Sequence, residues 1–316
     1  MNLEKEQGKE LTRLTYLTET EKEYLLNQIL HNKPKKRREL KEILTKTKGQ
    51  YTTKIYGKTI KTDVPNTTNK QKVFPLAQEQ SLIIKTAKII IDQRKRKQIL
   101  DICCGSGVLG ICIANKQDQV TGIDINPKAI ETATINAYNN KIKAKYYIQD
   151  ASTELPKEKY DIIVSNPPYN AQIQENYDRT THAGRYGQEV NKNILRNLDK
   201  CLKKDGKALI ISNFLIKDNQ VLYTEQLKGE ITLIHKGIHD AKTLEGLKTL
   251  YLDIEQPRKL ARGYLHKQIE KGRFTHITKA ILIYQKNKKK TKEPRLIYNW
   301  PTDFELLNKE TIGKIK

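Results

Sequence analysis

The sequence predicts an α/β fold in which a mostly parallel sheet carries helices on both faces. Between about residues 78 and 215, short apolar runs alternate with helical patterns, which is typical of parallel strands joined by crossover helices. The 316 residues, of which 37% are hydrophobic, are enough for one large domain or two modest ones.

The elements of this core follow one another at short intervals. We expect strands at 98–103, 120–124, 146–149, 160–165 and 208–212, and helices at 81–91, 108–115 and 127–140. The last helix begins with Pro127, a residue that is favoured in the first turn. After residue 215 the pattern weakens, and only residues 231–234 and 277–284 predict further strands.

The regions around this core differ from it in composition. Residues 1–50 predict a helical region that docks the substrate, and 51–77 predict a hairpin or linker. The main domain is expected at 78–286, with a basic, mostly helical insertion at about 236–274. Residues 287–316 form a basic tail.

The net charge points to a polyanionic partner. Lys and Arg number 59 and Asp and Glu number 36, which gives a formal net charge of +23. An excess of this size is typical of proteins that bind nucleic acid or a nucleic-acid-rich particle. The competing explanation is a lysine-rich composition that results from A+T-rich coding. The number of acidic residues, however, is not raised together with the number of basic ones.

Composition argues against several other classes of protein. The mean hydropathy of −0.71 does not fit a polytopic membrane protein, and the N-terminus has no apolar signal core. The four cysteines form no CxxC pair and the histidines have no spacing typical of a metal site, so no metal is predicted. We therefore expect a reduced, cytoplasmic protein without a membrane partner.

A Gly-rich turn follows the first strand of the core. The segment ILDICCGSGVLG places Asp101 at the strand end, followed by Gly105, Gly107 and Gly110, where the absence of Cβ atoms lets the backbone turn tightly beside a ligand. GSGVLG also fits the GxGxxG pattern of nicotinamide dinucleotide sites, which is weak evidence on its own. Asp101 argues against a dinucleotide, because a carboxylate at this point would repel a pyrophosphate.

Two more carboxylates follow the next strands along the chain. Asp124 comes after VTGI, and Asp150 closes YYIQD. Ligands of open α/β sheets bind at the carboxyl ends of the strands, so the three acids are expected at one site. There Asp101 can pair with an ammonium group, Asp124 can accept both ribose hydroxyls, and Asp150 can accept from an adenine amine. S-adenosylmethionine (SAM) carries these groups without a phosphate and is the predicted cofactor.

The segment YDIIVSNPPYN, residues 160–170, runs from an apolar strand into a rigid turn. Pro167 and Pro168 fix φ and lack an N–H, so the turn presents acceptors only. The side-chain oxygen of Asn166 and the carbonyl of Pro167 can each accept one hydrogen of a planar NH2 group. Tyr169 offers a ring face for stacking. The motif predicts a site that aims a weakly nucleophilic nitrogen at a methyl group through positioning and electrostatics.

Together these segments resemble the class I SAM-dependent methyltransferases, and within that class the HemK/PrmC group of protein glutamine N5-methyltransferases. The resemblance covers about residues 50–215. It rests on Ile55-Tyr56-Gly57, on Pro75 and Glu79 ahead of the first helix, on DICCGSG, IDINPKAIETATINA and SNPPY, and on AGRYGQEV at 183–190. It implies a Rossmann-like sheet, SAM as the cofactor, and a small N-terminal helical domain of the kind that docks translation release factors.

The resemblance also implies roles for single residues. Gly105 and Gly107 would line the SAM site. Asp124 would hold the ribose and Asp150 would lie near the adenine, while Asn166 and Pro167 would bind the target nitrogen. The chain departs from the family pattern at Cys103, which replaces the first glycine of the usual DxGxGxG, and in its insertion and tail.

The sequence is compatible with more than one acceptor of the methyl group. The favoured hypothesis is transfer to a glutamine side chain of a release factor or ribosome-associated protein, which the N-terminal half supports. The alternative is an adenine-N6 methyltransferase of RNA or DNA, because those enzymes share NPPY and because the charge, insertion and tail favour nucleic acid. A third hypothesis is a basic nucleic-acid-binding module without catalysis, which would not bind SAM.

Overall fold

The computed structural model describes residues 50–63, 73–74, 76, 78–92, 94–171, 183–184, 187–243, 249, 271–290 and 293–298. The predicted N-terminal helical region, most of the insertion and most of the basic tail lie outside these residues. The described part of the chain contains the whole succession of strands that the sequence predicts for the core.

Four helices and twelve strands follow one another in the described residues. The helices are α1 (Gln78–Ile90), α2 (Val108–Ile113), α3 (Pro127–Asn139) and α4 (Glu189–Cys201). The strands up to the NPPY motif are β1 (Gln50–Ile55), β2 (Lys58–Asp63), β3 (Gln98–Ile102), β4 (Gln119–Asp124), β5 (Lys143–Ile148) and β6 (Tyr160–Ser165). Those after it are β7 (Leu202–Lys217), β8 (Gln220–Val221), β9 (Glu230–His235), β10 (His239–Asp240), β11 (His276–Gln285) and β12 (Arg295–Tyr298).

One mixed sheet contains every described strand except the β1–β2 hairpin. Its order is β12-β9-β11-β7-β6-β3-β4-β5, with β10 beside β11 and β8 beside β7. The neighbouring strands β7, β6, β3, β4 and β5 pair in parallel, whereas β11 is antiparallel to both β7 and β9. The predicted α/β class is confirmed. The chain leaves β3 toward β4 on one side and later returns to β6 on the other, so the topological switch point lies between β3 and β6.

Helices cover both faces of the sheet, as expected. On one face α1 and α2 bury Ile83, Ile84 and Ile111 against Ile99 and Val164 of the strands. On the other face α4 buries Ile194, Leu195 and Leu198 against Leu100, Ile163 and Ile210. Helix α4 is not among the helices that we expect from the sequence, although the spacing of its three buried residues is helical.

The antiparallel half of the sheet is larger than the sequence predicts. Strand β7 runs for 16 residues instead of the expected five, because residues 207–216 pair without interruption with β11. In addition, residues 295–298, which we assigned to the basic tail, form β12 and pair in parallel with β9. Pairing between distant segments lengthens these strands, and local sequence patterns carry little information about it.

The hairpin of β1 and β2 turns at Tyr56-Gly57, within the segment that the sequence predicts as a hairpin or linker, and packs against α3. Asn136 accepts a hydrogen bond from the Lys61 N–H at 2.9 Å and donates to the Lys61 carbonyl at 2.8 Å. One turn later, Asn140 makes the same pair of bonds with Thr59, at 2.9 and 2.7 Å. The two amides therefore act on the edge of β2 as a neighbouring strand would. Asn136 Nδ2 also donates to the Ser106 carbonyl at 2.8 Å, which joins the hairpin to the Gly-rich turn.

Candidate active site

The Gly-rich turn and the NPPY turn leave the sheet side by side. Ile102, the last residue of β3, pairs with Ser165, the last residue of β6. The Ser165 hydroxyl also donates a hydrogen bond to the Ile102 carbonyl at 2.8 Å. Both turns therefore begin at the switch point, on the carboxyl edge of the sheet, where open α/β sheets bind their ligands.

The two glycines of the turn are needed for different reasons. Both have a positive φ, 52° at Gly105 and 76° at Gly107, a conformation that only glycine adopts without strain. A Cβ added at Gly105 would meet no atom within 4 Å, so this glycine faces open space. A Cβ at Gly107 would lie 2.9 Å from the Tyr146 hydroxyl, so this glycine allows close packing beneath the turn. Gly105 thus leaves room for a ligand.

Cys103 occupies a backbone conformation that normally belongs to glycine. Its φ is 55°, which costs a residue with a Cβ about 1–2 kcal/mol. Burial raises the pKa of its thiol well above the ordinary value, and Asp124, Asp101 and Asp150 raise it further. The thiol therefore stays protonated. Asp124 and Asp101 also bond to this segment directly, through the Gly105 and Gly110 N–H groups.

Asp101 is fully buried beneath the turn. Its Oδ2 accepts a hydrogen bond from the Gly110 N–H at 2.9 Å, whereas its buried Oδ1 has no partner among the described residues. Burial raises the pKa of this carboxyl to about 8, against the hydrogen bond from Gly110, and the nearby Asp124 adds to the rise. The structure thus gives Asp101 a role in holding the start of α2. The predicted contact with an ammonium group remains a prediction.

Asp124 joins the turn to the end of β4. Its Oδ2 accepts from the Gly105 N–H and its Oδ1 from the Asn126 N–H, both at 2.9 Å. The residue is half-buried, and burial raises the pKa of its carboxyl despite these two bonds. Because each carboxylate oxygen has further lone pairs, Asp124 can still accept from a ligand hydroxyl.

Asp150 lies two residues beyond the end of β5. Its Oδ1 accepts from the Ser152 N–H at 2.8 Å and from the Ser152 hydroxyl at 2.6 Å. These bonds fix the turn after β5 and leave the carboxylate half-buried. The predicted contact with an adenine amine would be an additional role.

The NPPY turn contains a hydrogen-bond acceptor without a donor. Asn166 Oδ1 is buried and has no hydrogen-bond partner among the described residues. A buried polar atom without a partner costs about 1–3 kcal/mol, and an incoming hydrogen-bond donor would recover this cost. Pro167 is buried beside it. The sequence predicts these two residues as the pair that holds the target nitrogen.

The segment AGRYGQEV supports the NPPY turn from behind. The Ala183 N–H donates to the Asn170 carbonyl at 3.0 Å. A Cβ at Gly187, where φ is 65°, would overlap the Tyr169 carbonyl oxygen. Gly187 therefore allows this segment to approach the motif closely.

Sequence reasoning missed Lys279, which lies beside Tyr169. Lys279 of β11 lies 2.5 Å from Glu79 Oε1, and its Nζ is 5.3 Å from the centroid of the Tyr169 ring. The resemblance named Glu79 ahead of the first helix, but α1 begins at Gln78 and Glu79 lies in its first turn. Burial raises the pKa of Tyr169 to about 12, and Glu79 raises it while Lys279 opposes the rise. Tyr169 is therefore neutral at physiological pH.

Other types of site find no support in the described residues. No group of three or more His, Cys, Asp and Glu side chains there could hold a metal ion. Among the same residues, no helix is both long and apolar enough to cross a bilayer.

Comparison with known proteins relates the central part of the chain to methyltransferases. Residues 83–237 match the model of the methyltransferase small domain. A protein N5-glutamine methyltransferase of Methanocaldococcus jannaschii is 27% identical over 48% of this chain and 77% of its own length. A release factor glutamine methyltransferase of Fusobacterium nucleatum is 36% identical over 46% of this chain and 38% of its own length. A tRNA1(Val) (adenine(37)-N6)-methyltransferase of Yersinia enterocolitica is 32% identical over 37% of this chain and 50% of its own length.

The family model matches the part of the chain in which the two turns adjoin at the switch point. The chain spans less than two thirds of two of these relatives, so the similarity concerns the shared domain. The predicted cofactor and enzyme class agree with the family model and with the names of these relatives. By its fold, its motif and this match, residues 83–237 are similar to the methyltransferase small domain, and the chain resembles SAM-dependent N-methyltransferases.

Proposed function

We propose that this protein transfers the methyl group of SAM to the side-chain amide nitrogen of a glutamine in a release factor or ribosome-associated protein. The observation that carries the proposal is the buried, unpartnered Oδ1 of Asn166, beside the carboxyl end of β3. A primary amide supplies the NH2 donor that this oxygen lacks. A cytoplasmic location is part of the same proposal.

The residues around the Gly-rich turn fit the cofactor. Gly105 leaves open space, and Asp124 has acceptor capacity left for ribose hydroxyls. The unpartnered Oδ1 of Asp101 suits a cationic or hydrogen-bonding group. SAM supplies an electrophilic methyl group: the new N–C bond forms as the S–C bond breaks, S-adenosylhomocysteine leaves, and the nitrogen then loses a proton to water.

The chain's own contribution is to bind and orient the acceptor nitrogen. Asn166 Oδ1 and the Pro167 carbonyl each accept one hydrogen of the NH2 group, which directs the nitrogen lone pair toward the methyl group. The same hydrogen bonds favour loss of amide conjugation, because they strengthen as positive charge develops on the nitrogen. A general base is not needed before attack. Tyr169, whose pKa is raised to about 12, keeps its proton and acts as a wall of the site.

The preference for glutamine comes from the relatives. Two of them are named as glutamine methyltransferases, and one of these is matched over 77% of its length. The β1–β2 hairpin, which the sequence shares with the HemK/PrmC pattern, packs on α3 and bonds through Asn136 to the Gly-rich turn. Both observations support a protein acceptor.

Radiolabelled SAM tests the proposal directly. The purified protein would be incubated with tritiated SAM and an extract of cells that lack its gene, and the products would be separated into protein, RNA and DNA. We expect label in protein and N5-methylglutamine on mass spectrometry. The Asn166→Ala variant should lose transfer by about 100-fold or more while its SAM affinity, measured by calorimetry, is retained. Asn197→Ala, which removes an amide bonded within α4, is the matched control.

Three results would contradict the proposal. Label in RNA or DNA would replace glutamine with a nucleobase as the acceptor. Full turnover by Asn166→Ala would remove NPPY from the reaction. Absence of SAM binding by the wild-type protein would favour the binding module without catalysis.

A second candidate is methylation of adenine N6 in RNA, and a cationic cluster favours it. Around Tyr223, the Lys192 Nζ lies 5.7 Å and the Arg196 guanidinium carbon 5.5 Å from the ring centroid. Burial raises the pKa of the Tyr223 hydroxyl, Arg196 and Arg273 oppose this rise, and Glu225 adds to it. Three cations on a half-exposed aromatic side chain suit a phosphate backbone, and one relative is named as an adenine-N6 methyltransferase of a tRNA. N6-methyladenine in labelled RNA, with binding that weakens steeply as salt rises, would establish this candidate.

A further inference from the structure

Tyr169 is held by two residues that face each other across the antiparallel strands. Asn213 of β7 pairs with Lys279 of β11. Asn213 Nδ2 donates to the Tyr169 carbonyl at 3.4 Å and to the Thr249 carbonyl at 2.6 Å. Lys279 approaches the side chain of Tyr169 and places its Nζ 5.3 Å from the ring centroid. The backbone and the ring of Tyr169 are thus held from strands that carry none of the sequence motifs.

Glu79 fixes the ammonium group that approaches Tyr169. Lys279 Nζ lies 2.5 Å from Glu79 Oε1, although 200 residues separate the two in sequence. The side chains of Glu79 and Lys279 are only 21% and 28% exposed. A long lysine side chain in water would sample many rotamers, and this buried contact restricts it to few.

The electrostatics show that both partners stay charged. Burial alone would raise the pKa of Glu79, but the charge of Lys279 and a hydrogen bond from it lower the pKa below the ordinary value, and Lys236 contributes in the same direction. Burial alone would lower the pKa of Lys279, but Tyr169 and Glu79 raise it above the ordinary value. The ion pair therefore persists across the physiological pH range.

A buried ion pair is a weak source of stability. Two apolar side chains of similar volume often stabilise a fold as well or better, because they carry no desolvation penalty. The pair at Glu79 and Lys279 lies against the tyrosine of the acceptor motif, where a fixed charge can orient a phenol and an apolar pair cannot. Its position indicates a functional reason for the charge.

We propose that Lys279, held by Glu79, is a positioning residue that fixes the Tyr169 ring as a wall of the acceptor site. The inference rests on the proposed function of the NPPY turn. Glu79 and Lys279 act through Tyr169 and touch neither the acceptor nitrogen nor the cofactor. A displacement of about 1 Å at a reacting group can cost about 100-fold in rate, so loss of the ammonium should reduce transfer even though Asn166 is intact.

Nuclear magnetic resonance of the Tyr169 ring tests this role without an acceptor. The full chain would be labelled with ¹³C at the tyrosine ring carbon that bears the hydroxyl, and Tyr169→Phe would identify the Tyr169 signal. We expect Lys279→Met to move this signal and Lys279→Arg to return it toward the wild-type position. Glu79→Gln should move it in the same direction as Lys279→Met, because the ammonium loses its anchor.

The ion pair of Lys203 and Asp161 provides the matched control. It joins β7 and β6 at 2.8 Å and is partly exposed, and Asp161 also accepts from the Gln98 N–H at the start of β3. Lys203→Met therefore removes a similar charge pair at the opposite end of the sheet. It should leave both the Tyr169 signal and methyl transfer unchanged.

Methyl transfer completes the test. With tritiated SAM and the extract described above, Lys279→Met should lower transfer by about tenfold to 100-fold, with unchanged SAM affinity and partial rescue by Lys279→Arg. An unmoved Tyr169 signal in Lys279→Met, or transfer equal to that of Lys203→Met, would overturn the inference. If the wild-type protein labels no acceptor, the proposed function fails, and the Tyr169 signal alone decides whether Lys279 holds the ring.

Discussion

The backbone N–H of Gly105 donates a hydrogen bond to Asp124 Oδ2 at 2.9 Å, which joins the Gly-rich turn to the end of β4. The other oxygen of Asp124 accepts from the Asn126 N–H, just before α3. One carboxylate therefore sets the relative position of two segments that the sequence predicts for the SAM site. Its structural role and its expected contact with the ribose support each other, because a ligand hydroxyl would find the carboxylate already fixed.

Asp124→Asn should weaken SAM binding. The amide keeps the size of the side chain, but its NH2 group accepts no hydrogen bond, so one of the two backbone N–H groups loses its partner. A hydrogen bond to a charged group contributes about 1.5–3 kcal/mol, so the Kd for SAM should rise by tenfold or more in calorimetry. Asp161→Asn, at the other end of the sheet, should leave the affinity unchanged. Equal affinities for the two variants would show that Asp124 does not contribute to the SAM site.

Cys103 offers a test of backbone strain in the turn. Its φ of 55° is favourable for glycine and unfavourable for residues with a Cβ. Cys103→Gly and Cys103→Ala both remove the thiol, so their comparison isolates the backbone effect. We expect the free energy of unfolding in urea to be about 1 kcal/mol higher for the glycine variant. A more stable alanine variant would mean that the turn relaxes out of this conformation.

Much of this site could be predicted because its signals are local. The turn from Cys103 to Gly107 and the NPPY turn each lie within one short segment, and each follows an apolar run that predicts a strand. Alternation of strands and helices then places the ends of those strands at one edge of the sheet. The structure brings both turns together at that edge.

The environment of Tyr169 could not be predicted in the same way. Lys279 reaches the ring because β11 inserts between β7 and β9, and this arrangement depends on pairing between segments that are distant in sequence. The register that sets Lys279 opposite Asn213 is a property of the whole sheet. In the sequence, Lys279 is one lysine in a strongly basic chain.

Variants of Asn136 and Asn140 should distinguish two effects, namely attachment of the β1–β2 hairpin to α3 and support of the Gly-rich turn. Both amides bond to the backbone of β2, but only Asn136 also bonds to Ser106 in the Gly-rich turn. Asn136→Ala leaves buried backbone groups without a partner and should destabilise the fold by about 2 kcal/mol, with weaker SAM binding. Asn140→Ala removes hydrogen bonds that are exposed to solvent, so it should cost about 1 kcal/mol or less and leave SAM affinity intact. Calorimetry and urea unfolding measure both effects, and equal losses of SAM affinity would contradict a specific link through Asn136.

Asp101 should make the protein less stable as pH rises, whereas most carboxylates in folded proteins have the opposite effect. Burial, with a contribution from Asp124, raises its pKa from 3.8 to about 8, while Gly110 opposes the rise. Between these values the folded protein holds a proton that the unfolded chain has released. The stability that the neutral carboxyl contributes is therefore complete below about pH 4 and declines as pH rises toward 8.

Asp101→Asn, which is neutral at every pH, isolates this contribution. In urea titrations, the free energy of unfolding of the wild type should fall relative to that of Asp101→Asn as the pH rises from 5 to 8. Asp92→Asn is the control, because Asp92 is exposed and hydrogen bonds to Arg94 lower the pKa of its carboxyl. That variant should differ from the wild type by a constant amount over this range. If the free energies of unfolding of Asp101→Asn and the wild type change with pH in parallel, Asp101 is ionised in the folded protein. The folded and unfolded states then bind the same number of protons at this residue, so it adds no pH dependence to stability.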